Sequence, residues 1–262
     1  QVLDDPQSSG WEEFSWTANG YGTITNIDID VKIENLVKIE AFLGQRLPWN
    51  TAIPWLGPEG LVEFIDFIPL HWFVYSLGSD AEYTYSIFND GEGWRDEIGL
   101  GSAHQEANWG TLFPPAWMWA QGVTDGNTSQ FALSGVELVL GSETLTTWLV
   151  GFHSPLIEWN FRQTIPGTVF VTSINSCTGS FCMVAKDTLR KLVITATAPT
   201  ESFIPVSVPS ETGFSEGGEE SFSADIIVKA YLQLPWFGDL LIEKRRFDNA
   251  ALEFGGNYMC SQ

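Results

Sequence analysis

The run TITNIDIDVKI, Thr23–Ile33, sets Ile27, Ile29, Val31 and Ile33 against Asp28, Asp30 and Lys32. Apolar residues at every second position put one side of an extended chain in a core and the other in water, so the run reads as a half-buried strand. After Glu34 and Asn35 the run LVKIEAFL repeats the pattern with Val37, Ile39, Ala41 and Leu43, and together they predict a hairpin. Outward from it, strand-like runs follow at Leu61–Ile68, Leu70–Leu77 and Ala81–Phe88. More follow at Gln130–Leu140, Thr144–Phe152, Thr168–Ile174, Phe181–Lys186, Leu189–Ala198, Ser221–Leu232 and Asp239–Arg246. Gly44–Gly60 and Pro199–Gly218 are turn-rich and read as connectors. Helical periodicity is nowhere sustained for three turns. Many short strands parted by turn signals predict an all-β chain, a sandwich or a barrel. Asp90-Gly91-Glu92-Gly93 breaks the pattern, and the predicted domains are 1–98 and 99–262.

With 262 residues, 44% hydrophobic and 17% charged, the composition is globular, with length for one large β domain or two smaller ones. Its 12 Trp and 18 Phe exceed what core packing needs and favour apolar or π-rich ligands. Twelve basic residues against 33 acidic ones give a net charge of −21. That predicts neither nucleic acid nor an anionic membrane as partner, because both need basic patches. No stretch has the apolar length of a transmembrane helix, so no membrane insertion is expected. The chain opens at Gln1 without Met or leader and reads as trimmed, processed or incomplete at its front.

Cys177 and Cys182 flank Thr178-Gly179-Ser180, a hairpin turn that would let them face each other, and Cys260 is left over. A disulfide with the sequon Asn127-Thr128-Ser129 would imply a secretory route. The expectation is a cytoplasmic protein in which Cys177 and Cys182 pair only in an oxidising compartment. His71, His104 and His153 are scattered, and no phosphate loop, nucleophile elbow or Cys–His arrangement is present. No metal and no cofactor are therefore expected.

The densest functional stretch is GLGSAHQEANWGTLFPPAWMWAQGV, Gly99–Val123. Alternation puts His104, Glu106 and Asn108 on one side of its first part, and Trp117, Trp119 and Gln121 on one side of its last. An acid, an imidazole, an amide and aromatic walls on one concave surface suit a ligand pocket. Plainer roles fit the same residues: tryptophans in strands as core, and Asn108 with Trp109 fixing a strand junction.

At His104–Gln121, His-Gln-Glu-Ala-Asn-Trp-Gly followed by Phe-Pro and Trp-Met-Trp-Ala-Gln resembles the lipocalin-like superfamily that includes carotenoid hydratases and tocopherol cyclases. It is most similar to the fungal Diels–Alderases that close decalin rings in polyketide–tetramic acid pathways. Arg46-Leu47-Pro48-Trp49-Asn50, Pro54–Gly60, Pro69-Leu70-His71-Trp72, His153-Ser154-Pro155 with Asn160-Phe161-Arg162, and Ala198–Phe203 fit in order. Gly213-Phe214, Glu220-Ser221-Phe222 and Ala251–Gly256 complete the set, so the resemblance covers roughly Gly44 to Tyr258. Ala107 stands where decalin-forming relatives tend to carry a lysine, and the front of the chain is shorter than theirs.

The resemblance implies an all-β fold, an N-terminal β-sandwich-like unit packed on a C-terminal lipocalin-like β-barrel. It implies a cofactor-free pericyclase performing an intramolecular [4+2] cycloaddition on a hydrophobic polyene, in fungal secondary metabolism and coupled to a polyketide synthase. The candidate catalytic residues are Glu106, Asn108 and His104. The candidate substrate-binding residues are Trp49, Trp72, Trp109, Trp117, Trp119, Gln121 and Trp236. Two other readings stay open: acid-assisted cyclisation or hydration of an isoprenoid, with Glu106 or His104 as proton donor, and a lipid or pigment carrier.

Overall fold

Extended chain with period-two burial dominates the computed structural model, which describes residues 14–20, 27–33, 36–65, 68–89, 91–110, 113–210 and 213–260. In chain order the strands are β1 (Phe14–Gly20), β2 (Ile27–Ile33), β3 (Val37–Leu43), β4 (Leu70–Asn89), β5 (Gly93–Gly110), β6 (Ala116–Val123), β7 (Gln130–Leu140) and β8 (Glu143–His153). They continue with β9 (Glu158–Arg162), β10 (Val169–Asn175), β11 (Ser180–Lys186), β12 (Arg190–Thr197), β13 (Ile204–Ser210), β14 (Gly213–Leu234) and β15 (Gly238–Gly256). The protein is all-β. By its internal contacts the chain divides into two compact units, Gln1–Leu47 with Gly78–Gln105, and Pro48–Leu77 with Glu106–Gln262.

One antiparallel sheet runs β1-β2-β3-β4-β5. The predicted hairpin is there as β2–β3, in register from Ile33 opposite Val37 to Ile27 opposite Leu43. Its turn residues Glu34 and Asn35, with Thr23–Asn26 and Asp90 of the predicted break, lie outside the described residues. Leu43 and Ala81 are buried together, with Ala41 and Ala103 packed on them.

The second sheet runs β10-β11-β12-β14-β15-β6-β7-β8-β9, with β13 paired to β14. Every second residue of these strands enters one core, among them Met118, Phe131, Leu133, Val150, Phe181, Ile194, Val228, Phe247 and Leu252. The sheet rolls around that core. Trp148 of β8 lies 5.8 Å from Phe181 of β11, and the Arg190 guanidinium of β12 sits 5.0 Å from the Phe161 ring of β9. Strands near opposite ends of the ladder therefore meet through their inward side chains, as in a barrel.

Four sequence expectations need correction. Leu61–Ile68 is not a strand: Gly60–Phe64 forms a 3-10 turn closed by bonds from Gly60 N to Gly57 O and from Ile65 N to Val62 O. Leu70–Leu77 and Ala81–Phe88 are one strand, because Gly78 and Ser79 continue it extended and buried. The connector Pro199–Gly218 hides β13, which pairs β14 alone, so Pro205 and Pro209 need donate nothing on its free side. Finally, Cys177 pairs with Cys260, leaving Cys182 free and exposed. The hairpin exists, but Cys177 lies in its turn while Cys182 pairs with Ser173 inside the ladder. The chain turns back after β15 through bonds from Tyr258 N to Gly255 O and Met259 N to Gly256 O, and Cys260 follows that turn.

Candidate functional site

Met118 and Ala120 of β6 enter the barrel core, so Trp117 and Trp119 stand on the opposite, outer face. Register extends that face into a row: Glu220 of β14, Glu253 of β15, Trp119 of β6, Ser134 of β7, Leu149 of β8 and Arg162 of β9 stand side by side. All six line one cavity of about 520 Å³, a size suited to a small molecule. Leu70 and Trp72 at the start of β4, Glu106 and Asn108 at the end of β5, and Val206 and Val208 of β13 close it over. Every lining residue belongs to the unit formed by Pro48–Leu77 and Glu106–Gln262.

The carboxylate end is built around the two tryptophans. Trp119 Nε1 donates to Glu106 Oε2 at 2.9 Å, and Trp117 Nε1 donates to Glu253 Oε1 at 2.5 Å. The Trp117 indole lies flat on the backbone beside it: a Cβ on Gly255 would fall 1.9 Å from its ring. Glu253 has its pKa raised by burial first and by the charge of Glu106, with the Trp117 hydrogen bond pulling the other way. Glu220, directly opposite Glu253, is pushed up to about 7 by burial and by the charges of Glu253 and Glu106. Burial and the neighbouring charges thus hold Glu220 and Glu253 toward the neutral form, and near neutrality the site can hold a proton to donate.

The other end carries unsatisfied donors. Burial lowers the pKa of the Arg162 guanidinium, and no carboxylate among the described residues acts on it. Its place depends on Gly60, whose φ of +65° favours glycine and whose missing Cβ would meet the guanidinium carbon at 2.6 Å. Trp72 is 4% exposed, and its indole N–H has no acceptor among the described residues. A buried donor without a partner is costly, and a ligand oxygen would relieve it. Glu59 holds this wall, taking Trp72 N at 2.7 Å on one oxygen and lying 2.7 Å from His71 Nδ1 with the other.

Of the residues singled out in the sequence, Glu106, Asn108, Trp72, Trp117 and Trp119 line the cavity together. The rest are placed elsewhere. His104 lies in the unit of Gly78–Gln105. Trp109 stacks on His71 with centroids 5.3 Å apart. Trp49 is a wedge, edge-on to Trp72 at 5.4 Å, and His153 Nε2 and Asn160 Nδ2 hold its carbonyl at 3.1 and 2.9 Å. Those bonds account for the His153 and Asn160 motifs structurally. Gln121 pairs in the ladder between Ala251 and Ala132, outside the lining. Trp236 is fully exposed in the β14–β15 turn. Sequence reading missed Glu220, Glu253 and Arg162 as site residues. Its available signal was an acid or base set between apolar neighbours on a strand, as in Leu252-Glu253-Phe254. Among the described residues no group of His, Cys, Asp and Glu is placed to hold a metal ion.

No family model and no curated protein matches the sequence. Solved structures do share the fold. CghA is similar over 100% of this chain and 74% of its own, at 9% identity and a TM-score of 0.58. CghA with Sch210972 gives a TM-score of 0.54 over the same shares, also at 9% identity. A putative AttH from Nitrosomonas europaea gives 0.46, at 12% identity over 94% of this chain and 68% of its own. Among the described residues, no helix is long and apolar enough to cross a membrane.

Proposed function

We propose that this chain is an enzyme that folds a hydrophobic polyene in the cavity and closes it by an intramolecular [4+2] cycloaddition, without a cofactor. One observation carries the reading: an apolar cavity flanked by Trp117 and Trp119 presents donors with no partner among the described residues, the Arg162 guanidinium and the Trp72 indole N–H. The motif resemblance to decalin-forming Diels–Alderases supports it, and a neighbour of the same fold has been crystallised with a small molecule, Sch210972.

The chemistry asks little more of the protein. Diene and dienophile must be held face to face, and orientation entropy supplied on binding can be worth several kcal/mol. The two new C–C bonds form within the substrate, so no proton or electron pair leaves it. Arg162 and Trp72 anchor the polar head. Neutral Glu220 or the Asn108 amide donates to a carbonyl conjugated with the dienophile and stabilises charge that develops there.

The raised pKa of Glu220 also favours a second reading, protonation of an isoprenoid-like alkene followed by cyclisation or hydration, with Glu220 as acid. Incubating the protein in D2O with a linear polyene bearing a conjugated carbonyl separates the two. Cycloaddition yields a bicyclic isomer of unchanged mass. Carbon-bound deuterium in the product would establish protonative chemistry, and recovery of bound, unchanged polyene would establish a carrier.

A further inference from the structure

We propose that the outer face of β10–β12 and β14–β15, together with the β14–β15 turn, docks on an anionic lipid surface. Whole-chain charge hides a strong asymmetry. Residues 169–193 and 225–248 contain seven of the twelve basic residues and five of the 33 acidic ones. With Arg190 and Arg245 on inward rows, the outer face carries Lys186, Lys191, Lys229, Lys244 and Arg246. These five lie on neighbouring strands; Lys191 and Arg246 are matched by Asp239 and by Asp225 with Asp248, and the positive character of the face rests on the other three lysines.

Register shows how the face is composed. One row reads Val169, Lys186, Lys191, Tyr231, Leu241, and the next reads Val171, Val184, Val193, Lys229, Lys244. The row between them, with Ala185, Leu192 and Ala230, enters the core, so both named rows face outward. Lys191 is paired with Asp239, whereas Lys186, Lys229 and Lys244 have no ion pair among the described residues. Lys229 stands directly opposite Lys244, an unfavourable pairing of like charges that a facing anion would relieve.

Beyond these rows the β14–β15 turn projects Trp236, 100% exposed at φ +74°, and Phe237, 87% exposed. Water gains nothing from a large indole and a phenyl ring held side by side at a tip. The bilayer interface suits them, because amphipathic indoles and snorkelling lysines share that depth. The outer face of a rolled sheet is convex, which fits a plane of headgroups better than a peptide that needs a groove. The carboxylates nearest in sequence, Asp187, Asp225, Asp239 and Asp248, are engaged by Arg190, Lys191 and Arg246, and more distant ones are screened at physiological salt. A membrane-docked protein would also receive a hydrophobic substrate where such molecules collect, but the proposal stands without any reaction in the cavity.

The test mixes the full chain with phosphatidylcholine vesicles, with or without about one-third phosphatidylserine, at low and at physiological salt. Binding only to the phosphatidylserine vesicles, weakened by salt, is expected. Each lysine near such a surface contributes roughly fivefold in partitioning, so Lys229→Gln with Lys244→Gln should lower it about 25-fold. Trp236→Ser with Phe237→Ser should abolish it. These side chains lie in the exposed turn and on the outer face, and unchanged near-ultraviolet dichroism confirms that each variant is folded. Absent binding, binding indifferent to phosphatidylserine, or binding unchanged in both variants overturns the proposal. So does salt-sensitive capture of polyglutamate without vesicle binding, which would assign the face to an acidic protein. A concentration-dependent dimer lost with Trp236, again without vesicle binding, would assign it to a second copy.

Discussion

The ten-stranded sheet works on two faces in β6–β8 and on one face in β10–β12. In β6–β8 the inward residues Met118, Phe131, Leu133, Trp148 and Val150 fill the core, while Trp117, Trp119, Val136 and Leu149 line the cavity on the other side. In β10–β12 the inward residues Phe181, Met183 and Ile194 are just as buried, but Val171 and Lys186 opposite them face solvent. The sequences record the difference only in part. AWMWA is apolar throughout, as a strand covered on both faces can be. RKLVITAT sets Lys191, Thr195 and Thr197 against Leu192, Ile194 and Ala196, but the interior of SFCMVAK is as apolar as that of QFALSGVELVL. One sheet thus supplies a rolled core throughout and a cavity wall only where a second layer covers it.

The largest effect expected from breaking this contrast is at the edge of the one-faced half. Cys177, in the turn beyond β10, is tied to Cys260 across 83 residues of sequence. In the chain-entropy account, closing a loop of that length stabilises by about 4–5 kcal/mol, so Cys177→Ser or reduction should cost about that much in urea unfolding. A loss below 1 kcal/mol would show that the edge holds without its tie.

Trp117→Ala should cost about 3–5 kcal/mol of stability and also widen the cavity, shifting the ratio of product diastereomers. Val171→Ser on the open face should stay within about 0.5 kcal/mol and leave products unchanged. Equal costs at the two positions would erase the distinction between the halves.

Arg162→Gln sharpens the comparison at the ligand. Hydrogen bonds to charged groups contribute about 1.5–3 kcal/mol, so KM for a substrate with an anionic or carbonyl head should rise roughly ten- to a hundredfold. Stability should hold or improve, because a half-buried charge without a partner is removed. An unchanged KM would take Arg162 out of the binding site.

The smallest effect is on pH dependence. The Glu220 carboxyl sits at about 7 in the folded chain against an ordinary 4.5, so the folded state holds its proton more tightly than the unfolded one. The resulting stability is fully present below pH 4.5 and is lost as pH rises through about 7. Thermal unfolding of Glu220→Gln should lack that decline, and the rate of the wild type should fall over the same range if the neutral acid donates to substrate. Parallel melting curves for the two proteins would refute the assignment.

How far the site was legible follows from these elements. Glu106 and Asn108, and Trp117 with Trp119, were legible because each pair sits two residues apart on one strand, and period two is a local property. Glu253 and Glu220 were not, because a carboxylate on a strand looks like an ordinary solvent-facing residue until a second layer covers it. Trp49 and Trp109 have the composition of ligand walls, yet packing against Trp72 and His71 uses them structurally. Composition does not distinguish a ring that meets protein from one that meets ligand.

The sequence by itself determined the all-β class, the β2–β3 hairpin and the limits of strands such as β7, because alternation and turn chemistry act between near neighbours. It also determined that Trp117 and Trp119 share a face. Only the tertiary structure decided that Cys177 meets Cys260, that Glu220 stands opposite Glu253, and that Arg162 reaches the same row as both. Those meetings join residues far apart in sequence. They depend on the order in which strands pair and on how the sheet rolls, and no local period encodes either.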